Sequence, residues 1–125
     1  MMDQPSVREL VDAIREFLET RAMPELKGHT AFHARVAANA LGIVSRQLER
    51  GAAADAAELE RLRTLVGSDG TLEELNRALC DRIRTGAVGI DSSELQRHLE
   101  LTTRDKIEID QPGYSGLRIA RERDN

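Results

Sequence analysis

The stretch His29-Thr-Ala-Phe-His-Ala-Arg-Val-Ala-Ala-Asn-Ala-Leu-Gly-Ile-Val-Ser-Arg-Gln-Leu-Glu-Arg50 decides the fold. Gly28 precedes it, Gly51 follows it, and no proline interrupts it. Stepping 100° per residue from Phe32 puts Val36, Asn39 and Ile43 within about 40° of it. Ala37, Ala40, Leu41, Val44 and Leu48 carry the apolar arc on to about 180°. So wide an arc predicts a central helix over about 29–50 with neighbours on two sides. Its alanines let those neighbours come close.

Four more helices are read outward from it. Ser6 and Glu9 form an S-x-x-E capping box, and Val7, Leu10, Val11, Ile14, Phe17 and Leu18 then share one face. Pro24 ends or kinks that helix near Ala22, because the residue before proline avoids the α region. A helix over about 53–66 carries Leu59, Leu62, Leu65 and Val66, and Gly67-Ser-Asp-Gly70 is a turn. Thr71 with Glu74 caps the next, over 71–85, whose face is Leu72, Leu75, Leu79 and Ile83. The last starts at Asp91 or Ser92 and carries Leu95, Leu99 and Thr102. It runs to Asp110 unless the alternation Ile107-Glu108-Ile109 makes a short extended piece. Residues 115–125 read as a disordered tail, since Leu117 and Ile119 are its only sizeable apolar groups. The expectation is an all-α, single-domain antiparallel bundle of about five helices over 5–114, followed by a flexible C-terminal tail.

Composition narrows the function. The 125 residues suffice for one domain, with 40% apolar and 32% charged residues. Eighteen basic and 22 acidic side chains give a net charge of −4, with the signs interspersed. Neither a nucleic-acid surface nor an anionic-membrane anchor is expected from that balance. The aromatics are only Phe17, Phe32 and Tyr114, too few for base-stacking modules. Cys80 is the single cysteine, so neither an intrachain disulfide nor a cysteine zinc site is available. No run approaches the roughly 18 apolar residues of a membrane span, and Met1 to Ser6 lack signal-peptide regions. The expectation is a bacterial-type cytoplasmic protein.

Several residues are candidates for chemistry. Asn39 sits in the apolar arc, where an unpartnered amide costs roughly 1–3 kcal/mol. It is read either as a buried bond that fixes helix register or as a ligand-facing amide. Arg35 and Arg46 border the same arc. They suit a phosphate or carboxylate, or they pair with Glu9, Asp12 or Glu16 of the neighbouring helix. His29 and His33 share a face at i, i+4, but two imidazoles do not make a zinc site, and no metal is expected. His33 is read as a packed neutral ring or as a general base without a partnered nucleophile. Cys80 is read as a small buried hydrophobe. Asp105, Lys106 and Tyr114 belong to a mixed segment that either docks on the bundle or forms an interaction edge anchored by the aromatic ring. No phosphate-binding loop, dinucleotide fingerprint or nucleophile elbow is present, and no cofactor is expected.

The run Ala31-Phe-His-Ala-Arg-Val-Ala-Ala-Asn-Ala-Leu41, continuing through Ile43-Val44 to Arg46-Gln-Leu48, resembles the central motif of a small bacterial family, domain-of-unknown-function family 6285. Pro5 with Glu9-Leu10, Gly67, Asp69-Gly70, Leu75-Asn76, Ile83-Arg84 and Gly86 extend the resemblance, which closes with Asp105-Lys106-Ile107, Ile109-Asp110, Pro112 and Tyr114. It covers about residues 5–114.

The resemblance implies a genomic context beside aminoglycoside-phosphotransferase-like kinases and acyl-CoA dehydrogenases, as in levulinate catabolism. There the small protein resembles an accessory subunit of a hydroxyacyl-CoA kinase. It implies no catalytic residues. Phe32, His33, Arg35, Asn39, Asp105, Lys106 and Tyr114 carry over as motif positions only. Three readings follow. The first is a non-catalytic kinase subunit in which Arg35 or Lys106 orders a lid or the acyl-CoA site. The second is an independent acyl-CoA or anionic-ligand module built on Asn39, Arg35, Arg46 and His33. The third is a small enzyme using His33. Homo-oligomerisation is left open.

Overall fold

The computed structural model describes residues 3–125. It is all-α, with five α-helices and, among the described residues, no strand. Among the described residues, no helix is long and apolar enough to cross a membrane. The chain forms two compact units that divide between Arg50 and Gly51.

In the first unit, α1 spans Val7–Phe17. Its capping box forms as the sequence predicts. The Glu9 amide donates to Ser6 Oγ at 3.2 Å, and the Ser6 amide donates to Glu9 Oε2 at 2.7 Å. Those bonds satisfy orphan N–H groups of the first turn and hold the Glu9 carboxyl below its ordinary range. The chain then leaves α geometry through a π-helical turn, Leu18–Ala22, and a 3-10 turn, Met23–Glu25. Pro24, which has no N–H to offer, lies in the second of these.

The next helix, α2, spans Gly28–Val66 and continues into the second unit. Two separate helices on either side of Gly51 were expected, and that expectation is corrected. A glycine costs a helix only about 1 kcal/mol, and the run Ala52–Ala57 supplies strong helix formers beside it. Gly51 is buried and keeps a negative φ.

Within the first unit α1 runs antiparallel to residues 31–49. Arg8 Nε donates to Ser45 Oγ at 3.4 Å, and Arg8 Nη1 pairs with Glu49 at 3.2 Å. A Cβ on Gly42 would stand 3.3 Å from Arg15 Cζ, so small residues admit the α1 side chains. Among the described residues, only Ala38, Gly42 and Ser45 are buried here. The apolar arc of 29–50 is not enclosed from two sides. Its small-residue edge meets α1, and Phe32, Val36, Val44 and Leu48 stay about half exposed.

The second unit holds a true core. Leu62 and Val66 of α2 pack on Leu75 and Leu79 of α3, which spans Leu72–Thr85, and on Leu95 of α4, which spans Ser93–Asp110. Thr71 and Glu74 form the expected capping box on α3. Gly86, at φ +80°, ends that helix in the left-handed region that glycine enters without steric cost. Ser92 caps α4 through its hydroxyl. Ile107–Ile109 are helical, so the extended alternative does not hold. Cys80 is exposed rather than part of the core.

The disordered tail expected over 115–125 is also corrected. Residues Ser115–Arg123 form α5, and Leu117 is 2% exposed. The charges that read as solvated pair with α4: Arg104 with Asp124, Arg121 with Glu108 at 2.8 Å, and Arg123 with Glu100 at 2.7 Å.

Candidate functional site

The sequence-predicted residues fall in both units. In the first, His33, Arg35 and Asn39 are exposed. His33 stands edge-on to Phe32, with ring centroids 5.6 Å apart. Asn39 is not buried, so its amide carries no desolvation demand, and the register-fixing reading is corrected. The apolar arc that surrounds it is itself uncovered. On the helical wheel His33 lies about 160° from Arg35, so the two do not converge on one ligand.

Arg46 is half-buried and lines a groove of about 440 Å³ between α1 and α2. Arg8 and Arg15 share it with Asp12, Glu16 and Glu19. Arg8 pairs with Asp12 at 3.7 Å and Arg15 with Glu19 at 3.0 Å. Three guanidiniums face three carboxylates, so the groove is a balanced ion-pair seam rather than a well of positive potential.

In the second unit, Asp105 is half-buried and Lys106 exposed on α4. Tyr114 precedes α5, and its amide donates to Gln111 O at 2.9 Å. The phenol ring lies against Gly116, where a Cβ would come within 2.5 Å of Tyr114 Cε1. Glycine at 116 therefore leaves the room that the ring occupies. Tyr114, 50% exposed, stands at the mouth of a groove of about 350 Å³ between α4 and α5. Leu99, Ile107 and Leu117 supply its apolar wall, and Arg104 and Arg123 its charged rim.

The structure adds a polar cluster that the sequence reading missed. His98 is 2% exposed on α4. Arg61 of α2 donates from Nε to His98 Nδ1 at 3.4 Å and from Nη2 to Thr102 Oγ1 at 3.1 Å. Glu58, also buried, accepts from Asn76 Nδ2 at 3.0 Å. A cavity of about 420 Å³ beside His98 is lined by Arg61, Leu65 and Arg97. The signal was His98 one turn from Leu95 and Thr102 on the predicted inner face of α4, a spacing that marks a buried imidazole needing a partner.

Burial pushes the His98 pKa below 6.5, and the Arg61 charge adds to that, with Lys106 acting in the same direction and Glu58 against it. The ring is neutral in the fold and accepts at Nδ1 from Arg61. Below pH 6.5 the unfolded chain binds a proton that the folded ring resists. This contribution to stability is complete above pH 6.5 and is lost as the pH falls through the depressed value. Thermal unfolding followed by circular dichroism between pH 7 and 5 should show melting temperature falling with pH, and His98→Gln should flatten that slope. An unchanged slope in the variant contradicts the assignment.

No curated protein and no solved structure shows significant similarity to this chain. A family model does match, over residues 24–114, from the α1–α2 connection to Tyr114. The chain belongs to that family, a domain of unknown function designated DUF6285.

Proposed function

We propose that the chain is a non-catalytic interaction subunit, and that its partner is an aminoglycoside-phosphotransferase-like kinase acting on hydroxyacyl-CoA substrates. The kinase and its acyl-CoA substrate enter only as what the sequence resemblance implies. The observation that supports an interaction role is Tyr114. Its ring lies over Gly116, half exposed at the mouth of the α4–α5 groove, beside the exposed Leu99. An aromatic ring next to apolar wall and charged rim is the composition of an interface anchor. A tyrosine has only two χ angles to order on binding, so much of its contact energy appears as affinity.

A kinase supplies its own phosphate chemistry, which is positioning and charge stabilisation. A partner helps by ordering the elements that do that work. In this reading Tyr114 anchors, and Asp105 and Lys106 flank the contact. The test is binding of the purified full chain to the kinase by calorimetry. Tyr114→Ala should raise Kd by about tenfold or more, the scale of an interface hot spot. Equal Kd for wild type and variant, with both folded, removes Tyr114 from the interface.

A further inference from the structure

The first unit lacks what the second has. Among its described residues the buried positions are Ala38, Gly42 and Ser45, and every large apolar side chain keeps some exposure. On α1, Val7, Leu10, Ile14 and Phe17 are each about two-fifths to three-fifths exposed, as are Phe32, Val36, Val44 and Leu48 on α2. Two helices whose large apolar residues are at most partly buried have little apolar burial to offset the entropy of ordering about forty residues.

Six of these side chains, those of α1 with Val44 and Leu48, turn away from the ion-pair groove, while Phe32 and Val36 lie nearer to it. The ion-pair groove of Arg8, Asp12, Arg15 and Arg46 marks one side of the hairpin. At 100° per residue, Val44 and Leu48 lie about 160° from Arg46, Phe32 and Val36 only about 40° and 80° from it, and Val7, Ile14 and Phe17 about 80–180° from Arg8 and Arg15. Val44 and Leu48 therefore share the side opposite the groove with the α1 stripe. Between Gly28 and Leu48 the only charged residues are Arg35 and Arg46, both toward the groove side. Some six turns of α2 thus present an uncharged face, with Ala37 and Ala40 among the large residues.

We propose that this face is covered by the same face of a second copy of the chain, the two hairpins closing into a four-helix bundle. Three considerations select a copy. These six exposed side chains leave on the order of 500 Å² of apolar surface, the larger part of the roughly 800 Å² that each partner gives to a standard interface. A surface without charge meets its own copy without like-charge repulsion, although the whole chain is net negative. A hairpin with no core of its own needs a cover present in constant proportion, which a twofold, self-complementary contact provides. This contact uses the first unit only, so it stands independently of the kinase reading.

Light scattering on the eluting full-length chain tests it. The expected mass in the low micromolar range is twice the 13.9 kDa of one chain. Ile14→Asp and Val44→Asp should each raise the dissociation constant at least a hundredfold. Hydrogen exchange on the wild type covers the case in which these variants fail to fold. Raising the concentration should slow exchange in residues 7–48. A one-chain mass throughout, a dimer that survives both substitutions, or concentration-dependent protection confined to 72–123 each overturns the proposal.

Discussion

Leu62→Ala should cost the second unit about 2–5 kcal/mol, the range for truncating an enclosed leucine to alanine. Leu62 is fully buried and meets Val66, Leu75, Leu79 and Leu95, so α2, α3 and α4 all lean on it. Removing its isobutyl group leaves a void that helices held by their own ladders cannot fully close. Small domains are stable by only about 5–15 kcal/mol, so the loss is a large fraction of the whole. The melting temperature should fall by roughly 10–30 °C in a unit of this size. Ile90→Ala is the contrast. Ile90 is 83% exposed, and its truncation should stay within about 0.5 kcal/mol. Melting curves for the two variants, read by circular dichroism, check both. Equal effects would mean that the core lies elsewhere.

Leu117→Ala should release α5 while leaving the rest of the second unit folded. A nine-residue helix is marginal alone, so α5 depends on docking. Its one buried side chain is Leu117. In the pairs Arg121–Glu108 and Arg123–Glu100 the carboxylates are partly buried but both arginines are more than half exposed, and pairs with a solvent-exposed partner contribute little. Apolar burial therefore decides whether α5 stays down. In the variant, amide protection over 115–123 should drop to that of an open segment, and trypsin should cut after Arg118 at least tenfold faster. Protection over 72–110 should persist. Retained protection in α5 would show that the ion pairs, with Arg104 at their centre, suffice to hold it. Loss of α5 also frees Tyr114 from its place over Gly116, so the same variant should weaken kinase binding.

Much of the fold was legible because its signals are local. Ser6 with Glu9 and Thr71 with Glu74 announce helix starts through side chains that reach their own backbone, and both boxes form. Gly86 marks the end of α3 for the same reason: one residue's conformational freedom suffices. The failures are non-local. Gly51 looked like a boundary because propensity alone was counted, and its alanine-rich neighbours carry the helix through. The tail looked solvated because the partners of its arginines, Glu100 and Glu108, lie up to about two dozen residues away. Asn39 looked buried because hydrophobicity records which face ought to be covered, without saying what covers it. The candidate site was legible less fully. Tyr114 stands out as a lone aromatic near a terminus, whereas the Arg61–His98 contact joins residues 37 apart.

The interaction role itself is tested most directly by co-expressing the full chain with an aminoglycoside-phosphotransferase-like kinase from the same genome and measuring the mass of the eluting species by light scattering. The account predicts a single species containing both chains in fixed ratio, with kinase turnover on hydroxyacyl-CoA higher than for the kinase alone. Two separate species, with turnover unchanged by adding the chain, would contradict it.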